Sequence, residues 1–165
     1  MVLDRVDVVI QQWKIEKPLL DTEPMALIGR LLRVNKHLET SMAKCHQKFG
    51  LTLGEFDVLA TLKRSANHDG LTPSELLEAL LLTSGAMTNR LAKLESKKLI
   101  VRVQSEHDKR SVFVALTAQG HALIDRIIEE HVQLQQTLVA SLTQTEKQVL
   151  NNSLKTWLAD FEQAD

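Results

Sequence analysis

The sequence reads as a mainly α-helical protein with one small β wing, and two observations within residues 71–117 carry most of that reading. The first is a pair of capped helices in quick succession. Thr72, Pro73 and Glu75 form a capping box with proline at the first helical position, and Leu76, Leu77 and Leu80 give the helix an apolar face. Thr83 or Ser84 caps a second helix a few residues later, so the pair forms a helix-turn-helix, whose second member enters a DNA major groove. The second observation is the stretch that follows. Leu99 to Gln104 and Ser111 to Leu116 are strand-like runs around the charged tip Ser105-Glu106-His107-Asp108-Lys109-Arg110. That is a wing, and the rest of the chain is expected to support a winged helix-turn-helix domain with N- and C-terminal dimerisation helices.

Helical angles of about 100° per residue sort the side chains of the second helix. Met87, Leu91, Leu94 and the stem of Lys98 share one stripe and are expected to pack inward. Asn89, Lys93 and Ser96 face the other way, and Arg90 falls at the edge of the buried stripe. Ser84, Thr88, Asn89 and Lys93 are the expected readers of base edges in the major groove, through their amide and hydroxyl groups. Arg110 at the wing tip is expected to enter a neighbouring minor groove, held in place by Asp108.

The flanking elements follow from the same rules. Asp4 to Lys17 reads as a short amphipathic helix with Val6, Val9, Ile10 and Trp13 at helical spacing, ended by Pro18. Met25 to Lys48 is a long helix, Gly29 aside, with Leu27, Leu31, Val34, Leu38 and Met42 three or four apart; Gly50 closes it. Thr52 with Glu55 opens a helix through Arg64, and Asn67 to Gly70 is a loop. Thr117 caps a helix expected to run from Ala118 to Ser141. Thr143 with Glu146 caps the last one, where Leu150, Leu154, Trp157, Leu158 and Phe161 form a broad apolar face. Three segments result: N-terminal helices at 1–48, a DNA-binding lobe at 50–117 and C-terminal helices at 118–165. The terminal helices carry more apolar surface than a small winged domain can cover, so a two-fold homodimer is expected, which also sets two recognition helices about one DNA turn apart.

Composition narrows the function. With 44% hydrophobic and 25% charged residues, the 165-residue chain suits a soluble globular protein. No apolar run approaches the ~20 residues of a membrane span, no signal-peptide pattern stands at the N-terminus, and a single cysteine suits the reducing cytoplasm. Net charge is only −1, but Ser84 to Arg110 holds seven basic against three acidic side chains, a local +4 against −5 elsewhere. A confined basic patch is the footprint of site-specific duplex binding. There is no Gly-rich phosphate loop, nucleophile elbow, paired-carboxylate motif or metal-ligand spacing among the six histidines, so neither an enzyme nor a cofactor is expected.

Residues 50–120 resemble the winged helix-turn-helix of the multiple-antibiotic-resistance regulator (MarR) family. Asp108, Arg110 and the following SVFVALTAQG match that family's signature, and the flanking helices match too. The resemblance implies a dimeric bacterial transcription regulator, a repressor on a pseudopalindromic operator, whose DNA binding is altered by small molecules.

One residue refines this. Asp57 sits within the otherwise apolar run Phe56-Asp57-Val58-Leu59-Ala60, where a carboxylate is costly unless a cation or strong donors meet it; Arg90 is a candidate partner. Together with Trp13 in IQQWKIEKP, Arg90 in MTNRLAKLE and Arg102 in VRV, it resembles the urate-responsive branch of the family, the PecS and HucR type. The EPMALIGRLLRV run is similar to the PecS subgroup. That resemblance implies a planar anion, urate or a similar purine or aromatic anion, held by Trp13 and Arg90, repelling Asp57, with Arg102 relaying the displacement to the recognition helix. Other readings stand beside it. Asp57 and Arg90 can be a structural ion pair, with Trp13 a dimer-core residue. Cys45, among Lys44, His46 and Lys48, can be an oxidation switch, although family members of that type set tyrosines near the cysteine and this chain has none. His131 can sense pH by charging in an apolar setting.

Overall fold

The structure, a computed structural model, describes residues 3–65, 70–80, 83–104 and 112–162. Among them run seven helices, α1 (Arg5–Glu16), α2 (Glu23–Gln47), α3 (Leu53–Arg64), α4 (Pro73–Leu80), α5 (Ser84–Ser96), α6 (Ala118–Leu138) and α7 (Gln144–Glu162). Two antiparallel strands, β1 (Ile100–Gln104) and β2 (Val112–Leu116), separate α5 from α6. The chain divides into two compact units, Met1–Lys44 and Cys45–Asp165.

In the first unit, Asp4 caps α1 by accepting from the Val6 and Asp7 amides, and the Asp7 carboxylate accepts from the Asp4 amide in return. Arg30 of α2 donates to both carboxylates, at 2.8 Å to Asp4 and 2.5 Å to Asp7, and its guanidinium is the main reason the Asp4 carboxyl is held down at about 2. Gly29, an interruption in the periodicity of α2, lies against Val6: a methyl there would meet Val6 Cγ1 at 3.4 Å. Val6 is buried, whereas Val9 and Trp13 on the same helix stay exposed.

The second unit is organised on α3, which packs against α4, α5, α6 and β2. Its Val58 and Leu59 are fully buried with Leu76, Met87, Leu91, Leu94, Val114, Ile124 and Ile127. A carboxylate-and-hydroxyl box starts α3, α4 and α7 at Thr52–Glu55, Thr72–Glu75 and Thr143–Glu146, as the sequence spacing implies. Gly50, at φ +70°, ends α2: its amide and that of Leu51 return to the carbonyls of Gln47 and His46.

The end of α5 departs from expectation. Lys98 does not continue the buried stripe; it lies beyond the helix, exposed, at φ +58°. Its amide and that of Leu99 bond back to Glu95 and Leu94, the same paired closure as at Gly50 but built on a residue with a side chain. The helix stops because Leu99 is drawn into the core, where it is 3% exposed. The long helix α6 likewise ends at Leu138 rather than Ser141, capped by Val139.

The strands pair from Ile100 with Leu116 to Gln104 with Val112. Leu71 adds a single bridge on the far side of β2, exchanging both backbone bonds with Val114 at 3.0 and 2.8 Å. Gly70 makes this possible, since a Cβ there would stand 2.2 Å from the Val114 carbonyl oxygen. The wing tip, with Asp108 and Arg110, and most of the 67–70 loop lie outside the described residues.

Candidate nucleic-acid interface and effector site

Helix α5 is held by its inner face. Met87, Leu91 and Leu94 are at most 2% exposed, and Ser84, Thr88, Asn89 and Lys93 all stand exposed on the outer side. Thr83 is the N-cap, accepting from the Ala86 amide, and the Thr88 hydroxyl donates to the Ser84 carbonyl at 3.0 Å. Thr88 therefore offers lone pairs and a methyl outward rather than a free proton. Asn89 and Lys93 have no side-chain hydrogen bond or ion pair among the described residues, which leaves an amide and an ammonium free for a ligand of complementary chemistry.

The basic patch is less uniform than its sequence count. Lys97 donates to Glu55 and to the Gly50 carbonyl, and Arg102 of β1 pairs with Glu95 of α5 at 3.3 Å. That second pair is exposed on both sides, so it orients more than it stabilises, at roughly 0–1 kcal/mol. It does join the wing strand directly to α5.

Arg90 is half-buried at the edge of the core stripe, where the helical angles set it. Its guanidinium lies across Gly54 in the first turn of α3: a methyl at Gly54 would come within 2.4 Å of Cζ. The structural ion pair with Asp57, one of the readings the sequence leaves open, is not among the ion pairs of the described residues. Asp57, one turn further along α3 and also half-buried, has no ion pair or hydrogen bond among the described residues. Burial pushes its carboxyl up, and Arg90, then His131 and Arg64, only partly oppose that. Arg90 thus acts on the Asp57 charge without an ion pair, and among the described residues the arginine's donors and the carboxylate's oxygens have no side-chain partner. Trp13 belongs to the first unit and Asp57, Arg90 and Arg102 to the second.

A further cluster adjoins Asp57 that sequence spacing did not reveal. His46 is fully buried, its ring stacked on Phe56 at 3.9 Å between centroids. Its Nε2 lies 3.0 Å from Nδ1 of His131, and its own Nδ1 has no partner among the described residues. Burial, and secondarily the neighbouring His131, lower the His46 pKa to about 4. Burial also lowers His131, with Asp57 pulling the other way. A pH response would therefore involve the pair, not His131 alone. The two histidines are 85 residues apart, beyond the reach of any periodicity. Cys45 is buried, at 6% exposure, which removes the access that an oxidation switch needs.

Comparison with known proteins gives this arrangement its context. Residues 49–111 match the family model described as the MarR family. The HTH-type transcriptional regulator PecS of Dickeya dadantii is 39% identical over 139 residues, 84% of this chain and 84% of that one. Among solved structures, AbsC, a MarR family transcriptional regulator from Streptomyces coelicolor, superposes with a TM-score of 0.77 at 26% identity, covering 89% of this chain and 98% of AbsC. A cysteine-to-serine mutant of MarR from E. coli in complex with operator DNA gives 0.71 at 31% identity, over 83% of this chain and 97% of that one.

Proposed function

This chain belongs to the MarR family, and from that premise we propose that it binds a pseudopalindromic operator as a homodimer, acts as a repressor, and is released by a small planar anion such as urate. It is a winged helix-turn-helix transcription regulator that binds DNA, not an enzyme. In the proposed complex Ser84, Thr88, Asn89 and Lys93 of α5 read the major groove, and the wing tip with Asp108 and Arg110 reaches the minor groove. The DNA-binding lobe spans residues 50–117, and the helices of 1–48 and 118–165 carry dimerisation. Support for the dimer comes from α7, which has no buried residue and exposes Val149, Leu150, Leu154, Leu158 and Phe161. Among the described residues no helix is long and apolar enough to cross a membrane; we propose that the protein acts in the cytoplasm.

The observation that carries the ligand response is Arg90. A half-buried guanidinium seated on a glycine, with Asp57 near and unpaired among the described residues, is a receptor for an anion and a carboxylate for that anion to repel. A planar purine anion fits the flat fork of arginine, and the displaced carboxylate would shift α3 against α5. Arg102, bonded to Glu95, joins that movement to β1. Trp13 is proposed to contribute to the response through its ring and N–H. Moving a two-state equilibrium from mostly bound to mostly released takes several kcal/mol of differential affinity, the order that a charge-assisted arginine contact plus carboxylate repulsion supplies.

The test is a DNA-release titration with urate and xanthine, using a duplex that the wild type selects from a random-sequence pool. Wild type should release; Arg90→Ala and Trp13→Phe should respond weakly, and Asp57→Asn should bind ligand yet release poorly. Wild-type binding that ignores millimolar urate and xanthine, or an Arg90→Ala variant that responds normally, refutes the ligand assignment.

A further inference from the structure

We infer that Lys97 and Glu55 form a strut that positions α5 for sequence-specific binding, although neither acts by touching DNA; this rests on α5 being the helix that reads the duplex. Lys97 caps the C-terminus of α5. Its Nζ donates at 2.8 Å to Glu55 Oε1 and at 2.8 Å to the Gly50 carbonyl. The other oxygen of that carboxylate, Oε2, accepts from the Thr52 amide at 2.7 Å and its hydroxyl at 3.1 Å. Three segments are thereby tied at one point: the closure of α2, the start of α3 and the end of α5.

Capping alone does not account for this. The boxes that start α4 and α7 use the same Thr–Glu pattern, and there Glu75 and Glu146 remain exposed with no ion pair among the described residues. Glu55 alone of the three is buried, at 2% side-chain exposure, while the Lys97 stem enters from the surface with 37% exposed. Burial works to raise the Glu55 carboxyl, but Lys97 and the Thr52 donors outweigh it and keep it ionised. A carboxylate taken out of water is retained only with a close cation, so the lysine is committed to Glu55 and withdrawn from any phosphate. The strut ties the C-terminal end of α5 to two segments at once, because the Gly50 carbonyl and the Glu55 carboxylate both accept from the same ammonium.

Charge separates this role from ordinary phosphate binding. Glu55→Gln removes a negative charge and Lys97→Met a positive one, so through simple electrostatics they shift DNA affinity in opposite directions. As a strut they act in the same direction. Affinity is measured for the duplex selected from a random pool and for an unrelated duplex of equal length, across a range of salt, with thermal melting as the check on folding. Glu55→Gln, Lys97→Met and their combination should each weaken selected-duplex binding about tenfold, the double variant no more than the singles. Binding to the unrelated duplex and its salt slope should stay as in wild type. If Lys97→Met instead weakens both duplexes and lowers the salt slope by about one while Glu55→Gln does not weaken binding, Lys97 is a phosphate contact and the strut is wrong. Wild-type selectivity in the folded variants also overturns it. Should a single variant not fold, the double variant, which leaves no unpaired buried charge, is read in its place. Asn89→Ala, run alongside, separates the two levels: if it too keeps full selectivity, α5 is not the reading helix; if it alone relaxes selectivity, only the strut fails.

Discussion

Acid should destabilise this protein through His46, and the structure sets the size of the effect. The ring is fully buried between Phe56 and His131, and burial with its histidine neighbour lowers its pKa from 6.5 to about 4. In the unfolded chain the same imidazole titrates near 6.5. Between those two values the unfolded chain carries a proton that the native state refuses. Stability therefore rises with pH in that window and is lost as pH falls through it. Above the unfolded value neither state is charged and nothing is lost. At about pH 5 the mismatch costs about 2 kcal/mol, and below about pH 4 it levels off near 3 kcal/mol. Against a typical domain stability of roughly 5–15 kcal/mol, that is a large fraction. His46→Phe is the perturbation to compare, because phenylalanine keeps an aromatic ring against Phe56 and takes up no proton. Urea unfolding followed by circular dichroism, for both chains at about pH 7.5 and about pH 5, reads the contribution of His46 together with its effect on His131. Any packing cost of the larger ring is the same at both pH values and cancels. Wild type should lose about 2 kcal/mol more than His46→Phe on acidification. Equal losses in the two chains would mean that His46 accepts its proton freely in the native state, and the buried pair would have to be abandoned.

Three other substitutions probe separate parts of the molecule. Gly54→Ala should fold, since the atoms that a methyl meets belong to the movable end of Arg90, but with Arg90 displaced the urate response should fall about tenfold or more in a DNA-release titration. Gly120→Ala has no such escape, because its Cβ would stand 2.0 Å from the Leu99 backbone carbonyl; a loss of about 1–3 kcal/mol in urea unfolding is expected. Replacing Leu154 and Leu158 of α7 by Asp should halve the mass seen in sedimentation if these exposed leucines form the dimer contact, and an unchanged mass would remove α7 from it.

The chain states its helix starts openly. Thr52, Thr72, Thr117 and Thr143 all cap helices as their spacing implies, and Met87, Leu91 and Leu94 pack inward as their angles require. Such features depend on groups within one or two turns, so a short stretch of sequence contains both halves of each interaction. Arg90 at the edge of the stripe was legible for the same reason. Its seat on Gly54 was not, nor was the failure of Asp57 to pair with it, because those depend on how closely α5 approaches α3. Lys98 at φ +58° was also hidden. A left-handed residue with a side chain is unfavourable locally, and it occurs because burial of Leu99 requires the turn. Glu55 was visible as a cap, but the lysine that holds it is 42 residues away, and His46 meets His131 across 85. Those meetings are settled by the packing of whole helices on α3. No pattern of period 3.6 or 2 can encode them, since each partner is an ordinary residue on its own element until the core brings the two together.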